Sequence, residues 1–378
     1  MNTLAVTSPR DEMMPNGMRR VSAMIGDQHL WFEVPADLEI EVRGEPFVVA
    51  ALLPAMARGL PLVGHPDLPI CPELRQGLDR LQAIFRMWGP VLRCPLRTVP
   101  VEVPLAPAPP GRGAGSFFSG GVDGTHTWLE APDQLERAAF VRGIDFQLDN
   151  PVYDESFARN AAWLAARGAT LIPLTSNIRW VGRAFGLGWN TYFGAGLSAL
   201  AHLIGFSTTY IAAGHTWAEL WPDGSHPATD PHWSSATRRM VHHGRGARRW
   251  EKLERIAREP GALDILRVCW QDKGFNCGAC EKCVRTMVLL RILRLSAPTF
   301  PPLTDLDALA AMTPHDRSEA VFVQEAHELA LRHGDTPLAR ALATSLRKWE
   351  TRRVLRMLNQ GFLGGALNRE RRQRPPVA

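Results

Sequence analysis

The chain has 378 residues, a formal net charge of +5 and a hydrophobic share of 45%. That length exceeds one ordinary domain, and the apolar share is that of a chain with a full core, which argues against intrinsic disorder. No run of eighteen apolar residues occurs, and Met1 to Arg20 lack the apolar stretch of a signal peptide, so a cytoplasmic protein without a membrane partner is expected.

In chain order, the first hundred residues suggest a small β-rich unit. Val21–Ile25, Leu30–Val34, Ile40–Val42 and Phe47–Ala51 are short apolar segments separated by Gly, Asp, Pro or Arg-Gly turns. A helix is predicted over Leu74–Trp88, with Leu78, Leu81, Ile84 and Phe85 on one face, and Val101–Leu105 reads as one more strand. The Pro-rich run Ala106–Gly111 is a natural linker.

From Gly113 the texture changes. Strands are predicted at Gly115–Phe118, Phe140–Ile144, Thr170–Leu174 and Thr209–Ala213, with helices at Glu155–Arg167 and Phe193–Ile204 between them. This βαβα rhythm predicts an α/β fold with a doubly wound parallel sheet, in which ligands sit beyond the carboxyl ends of the strands. Ser119, Asp145, Thr175 and His215 each fall at such an end. Beyond Pro301 the pattern is helical, over Thr304–Ala311, Ser318–Arg332 and Leu338–Leu358, and Asn368–Ala378 read as disordered. The expected organisation is an N-terminal β-rich domain (1–108), a sheet domain (109–300) and a C-terminal helical region with a basic tail (301–378). From Thr336 onward ten Arg or Lys stand against two Glu, so the tail carries more than the whole net charge. Such a tail can touch RNA, although a solvated helix face is the favoured reading.

Ser119-Gly120-Gly121-Val122-Asp123-Gly124-Thr125 follows the first strand of the sheet domain. Two glycines let the backbone approach a phosphate and turn N–H groups inward, and a following helix adds a partial positive charge. Ser119 offers a hydroxyl, and Asp123 a carboxylate for Mg²⁺. Downstream, Cys269, Cys277, Cys280 and Cys283 have the spacing of a tetrahedral zinc knuckle, with Gly278 permitting the tight backbone. An iron–sulfur cluster and sulfur-relaying thiols are the competing readings.

The Ser119–Asp123 turn resembles the pyrophosphate loop of the PP-loop ATP pyrophosphatases. The Cys-x₇-Cys-x₂-Cys-x₂-Cys quartet followed by Val284-Arg285 is similar to the zinc site of the 7-cyano-7-deazaguanine synthase family. The resemblance implies a PP-loop, HUP-type sheet, ATP bound through Ser119 to Thr125, and adenosine near Asp145 at Gly143-Ile144-Asp145. It further implies a basic residue opening a later helix, Lys252 or Arg248, on the pyrophosphate. Where the family has Ser after the Asp, this chain has Gly124 and then Thr125. Asn177 and Arg179 after the third strand, and His226 and Asp230 after the fourth, are candidates for substrate contact or proton transfer. Trp180, Trp189, Trp217, Trp221 and Trp233 follow the same strands; stacking on a heterocycle is open to them, with core packing expected for most.

The expectation is therefore an ATP-dependent ligase or synthetase that adenylates a carboxylate or amide oxygen of a small molecule for attack by ammonia or an amine, with ATP, Mg²⁺ and Zn²⁺ as cofactors. A homodimer is compatible with it. The rival readings are a thiolation enzyme acting on tRNA or a small molecule, and a nucleotide-binding regulator without turnover.

Overall fold

A computed structural model describes residues 3–271 and 273–362. The chain forms two compact units, Met1–Cys277 and Gly278–Ala378. In the first, three antiparallel strands, β1 (Leu4–Met13), β2 (Met18–Ile25) and β3 (Gln28–Pro35), are joined by tight turns at Gly17 and Gly26, both at positive φ. Helix α1 (Glu45–Arg58) follows, then β4 (Leu62–Val63), α2 (Pro72–Leu92) and β5 (Val101–Glu102).

The alternating part is β6 (Ala114–Phe117), α3 (Val122–Glu130), β7 (Arg137–Arg142), α4 (Tyr153–Ala165) and β8 (Thr170–Ser176). It continues with α5 (Ile178–Ala184), α6 (Trp189–Ile204), β9 (Thr208–Ala212), β10 (Arg239–His243) and α7 (Arg249–Ala257).

One sheet of ten strands carries all of this, in the order β10-β9-β6-β7-β8-β3-β2-β1-β4-β5. From β10 to β8 every neighbouring pair is parallel. The chain steps outward from β6 to β7 and β8, then returns past β6 to add β9 and β10 on its other side. Right-handed crossovers in opposite directions put their helices on opposite faces, so this segment is doubly wound. The reversal makes a topological switch point between β6 and β9, where adjacent connections diverge and leave a crevice at the carboxyl ends.

The N-terminal strands continue this sheet. Strand β3 pairs antiparallel with β8, Phe32 opposite Ser176 and Glu33 opposite Thr175, and Ser176 Oγ donates to the Trp31 carbonyl at 2.8 Å. Two expected strands are absent here. Phe47–Ala51 lies inside α1, whose residues 45–56 are all buried, and a helix buried on every side shows a continuous apolar run with no period to separate it from a core strand. Ile40–Val42 has no regular structure. Conversely β10 was not expected from its sequence, Arg-Met-Val-His-His, because a short edge strand needs little apolar patterning.

The second unit contains α8 (Glu281–Ile292), α9 (Leu306–Ala311), α10 (Arg317–Arg332) and α11 (Thr336–Phe362). Asp305 and Asp316 cap α9 and α10 with their carboxylates, and Arg291 pairs with Asp335 at 2.8 Å. The segment expected to be disordered, 368–378, lies outside the described residues. No helix is long and apolar enough to cross a membrane among the described residues.

Candidate functional site

Strand β6 ends at Phe117, and the turn Ser119-Gly120-Gly121 delivers the chain into α3 beside the switch point. The two glycines serve different ends. Gly120 has φ +74°, and a Cβ there would lie 2.7 Å from both Asn160 Oδ1 and the Ile265 carbonyl, so the fold itself requires glycine. Gly121 caps α3 with an ordinary φ of −79°, and the nearest atom to an added Cβ, the Arg267 carbonyl, is 3.5 Å away. Neither backbone conformation nor packing demands glycine at 121. What its missing side chain secures is open backbone at a helix N-terminus, the arrangement that binds anions. Across the switch point, Gly214 follows β9 in the same condition, with no atom within 4 Å of an added Cβ.

Asp123 stands in the first turn of α3, and two cations converge on it from α7. Arg249 Nη1 donates to Oδ2 at 2.6 Å, and Lys252 Nζ donates to Oδ1 at 3.1 Å and to the Ala213 carbonyl at 2.6 Å. Lys252 is 1% exposed and Arg249 7%. A buried ammonium is tolerable only when paired, and here a carboxylate and a carbonyl share it. The surroundings register this charge. Burial first, then Lys252, push His126 down to about 4, and the same two causes, with Arg245, lower His243.

Asp123, Gly214 and His215 open onto a cavity of about 180 Å³. Ser225 and His226, from the loop after β9, and His242 of β10 also line it and belong to a hydrogen-bonded cluster around Asp230. Buried Asp230 accepts from Ser225 Oγ at 2.6 Å and from the His226 backbone N–H at 3.1 Å, and its Oδ2 lies 2.8 Å from His242 Nδ1. Leu220 and Trp221 form part of the rim. Next to them Arg245 stacks 4.1 Å over the Trp217 ring.

The predicted site residues are thus distributed unevenly. Ser119, Gly120, Gly121, Val122, Asp123 and Gly124 share the turn and first helical residues, and Lys252, His226 and Asp230 reach the same cleft region. Ser119 Oγ makes no hydrogen bond among the described residues. Thr125 is fully buried, with its hydroxyl unpartnered, and so is not displayed on the turn. Asp145 is exposed beyond β7, and Arg179 donates to the Ile144 carbonyl beside it at 3.0 Å. Asn177 is engaged elsewhere: its Oδ1 accepts from the Trp31 N–H and its Nδ2 donates to the His29 carbonyl, tying β8 to β3. Arg248 is the exposed N-cap of α7, while Arg249, one residue on, faces Asp123. Sequence reasoning passed over Arg249 and His242. The available signal was helical phase, since Arg249 and Lys252 are three apart and share a face. The tryptophans also differ from expectation: Trp180, Trp217 and Trp221 are exposed, and of the five only Trp233 is fully buried. Of the three exposed indoles, Trp221 lines the cavity.

The four cysteines assemble. The sulfurs of Cys269, Cys277, Cys280 and Cys283 all lie within 4.8 Å of one another. Tetrahedral thiolates on zinc at ~2.3 Å would stand ~3.8 Å apart, within the spread of these sulfurs, so the donor set suits a metal such as zinc. Gly278 has φ +67°, as the knuckle's turn requires. The Asn276 side chain braces the loop, its Oδ1 accepting from the Val268 and Cys269 N–H groups while its Nδ2 donates to the Leu266 carbonyl.

Searches against family models, curated proteins and solved structures return no match.

Proposed function

We propose that the chain is an ATP-dependent, AMP-forming ligase that adenylates a carboxylate or amide oxygen of a small molecule and transfers the activated group to ammonia or an amine, in the manner of the 7-cyano-7-deazaguanine synthase-like PP-loop enzymes. The observation that carries this reading is the convergence of Arg249 and Lys252 on Asp123 beside a glycine the fold does not need. The open backbone at Gly121 would cradle the pyrophosphate, and Arg249 and Lys252 would exchange part of their pairing with Asp123 for phosphate oxygens. Asp123 would be the residue that holds Mg²⁺, which would supply neutralising charge to the phosphates when bound.

Placement at the switch point supports a nucleotide, because that crevice is the one ligand site the sheet topology creates by itself. The cavity beyond Asp123 would take the acceptor, and the exposed Trp221 would offer a face for a planar group. Zn²⁺ at the cysteine quartet has a folding role in this reading, since four thiolate ligands leave no open coordination position for substrate.

The test is to incubate the protein with ATP and Mg²⁺, a panel of carboxylic acids and either ammonia or hydroxylamine, and to resolve the products by ³¹P NMR. AMP and pyrophosphate appearing with an amide or hydroxamate support the reading. Exclusive formation of ADP and orthophosphate, or no turnover despite tight ATP binding, overturns it.

A further inference from the structure

The cavity that Asp123 lines also holds two imidazoles whose hydrogen bonds give them opposite tautomers. His242 directs Nδ1 at Asp230 Oδ2, 2.8 Å away. Asp230 has 0% exposure, its Oδ2 also accepts from the Ser225 hydroxyl and its Oδ1 from the His226 N–H, and Ser225 Oγ lies 3.2 Å from the same His242 Nδ1. A carboxylate accepts only, so Nδ1 of His242 carries the proton and its Nε2 is left with a lone pair. His226 is the reverse case. Its Nδ1 accepts from the Ala228 backbone N–H at 3.0 Å, so its proton sits on Nε2. Both residues line the cavity that begins at Asp123. Burial, and His242 nearby, lower the His226 pKa, which keeps that ring neutral and a donor near pH 7.

We propose that His242 is the general base that deprotonates the attacking amine, that Asp230 is the residue positioning it, and that His226 is a hydrogen-bond donor to the group being attacked. This rests on the ligase reading above. Ammonia and alkylamines arrive mostly protonated at neutral pH and cannot attack in that form. His242 Nε2 takes one proton from the ammonium, freeing the nitrogen lone pair to form the bond to the acyl carbon. As the tetrahedral adduct collapses, the carbon–oxygen bond to AMP breaks, its electron pair leaves with the AMP phosphate, and the nitrogen gives its second proton to water. His242 then returns its proton to solvent. The remaining titratable side chains facing this cavity are Asp123, His215 and Asp223. The first is bound to Arg249 and Lys252, whereas His242 is paired with Asp230.

The experiment compares two nucleophiles on the full-length protein. Hydroxylamine is largely neutral at pH 7 and needs no base, whereas ammonia is largely ammonium and does. In His242→Gln the ratio of ammonia-dependent to hydroxylamine-dependent rates should fall by about 10²-fold, the usual worth of a general base. A simple packing defect would depress both rates together, and an unchanged ratio overturns the assignment. If the unaltered protein forms no AMP with either amine, the ligase reading itself has failed, an outcome separate from this one. Nitrogen-15 NMR of histidine-labelled protein supplies a readout independent of turnover. His242 should show a protonated Nδ1 and an unprotonated Nε2, and Asp230→Asn should populate the opposite tautomer. An Nε2–H tautomer in the unaltered protein sinks the proposal.

Discussion

Lys252 Nζ lies 3.1 Å from Asp123 Oδ1 although 129 residues separate them, and Arg249 closes on the other oxygen of the same carboxylate at 2.6 Å. The first turn of α3 and the first turn of α7 are thereby joined through one acid. In Asp123→Ala, two buried cations lose their carboxylate, Lys252 keeping only the Ala213 carbonyl, which on the scale of broken buried pairs costs roughly 3 kcal/mol. AMP formation should become undetectable while the metal content of the cysteine site is unchanged. Lys252→Met should reduce the rate by about 10²-fold. Arg249→Ala should have a larger effect than Arg248→Ala. Equal effects of the two arginine changes would place the pyrophosphate elsewhere.

The two glycines of the turn make a contrast that separates fold from ligand. Gly120→Ala introduces a positive-φ alanine against the Ile265 carbonyl and should lower stability by roughly 2 kcal/mol or more, seen as a fall in the urea midpoint. Gly121→Ala has room for its Cβ and ordinary dihedrals, so the midpoint should hardly move. ATP affinity measured by calorimetry should nevertheless fall at least tenfold, because the methyl occupies the approach to the backbone N–H groups. Wild-type affinity in Gly121→Ala would remove the main support for a phosphate cradle.

At the cysteine quartet, one zinc per chain is expected by plasma emission analysis of protein purified without added metal. Cys280→Ser should lose that zinc. It should also lower the melting temperature by many degrees, since structural zinc contributes on the order of 10 kcal/mol to small sites. Iron with a visible charge-transfer absorption would instead identify an iron–sulfur cluster.

His202 gives the fold a defined pH dependence. Complete burial pushes its pKa down to about 4 from 6.5, and its Nε2 donates to the Trp233 carbonyl at 2.7 Å. Below pH 6.5 the unfolded chain binds this proton and the folded chain does not. Stability is therefore intact above 6.5 and declines as pH falls toward 4, by roughly 2 kcal/mol at pH 5. His126 is depressed in the same direction and adds to the slope. In His202→Gln, which retains a donor, denaturation midpoints measured between pH 7 and 5 should show a flatter decline. A slope equal to that of the unaltered protein would mean that His202 is solvated.

Some of this was legible in the residues themselves. The strand–turn–helix around Ser119–Asp123, the alternation of β6 to β9 and the clustering of Cys269 to Cys283 are local patterns, set by side-chain periodicity, glycine and ligand spacing over a few residues. Helix α1 was not, because a segment buried on all sides loses the periodicity that distinguishes helix from strand. Arg248 was preferred to Arg249 because composition alone does not say which residue of a basic run faces inward. One position along a helix rotates the side chain by about 100°, enough to exchange solvent for Asp123.

The sequence by itself determined that a glycine turn, an acid, several bases and four thiols exist in a fixed order along an α/β chain. Only the tertiary structure decided which of them meet. The return of the chain past β6 to form β9 and β10 creates the crevice, brings Lys252 and Arg249 onto Asp123, and sets His242 of β10 against Asp230 in the loop before it. Strand order and helix phase depend on burying apolar faces across the whole first unit. That is a non-local requirement, and no short window of residues contains it.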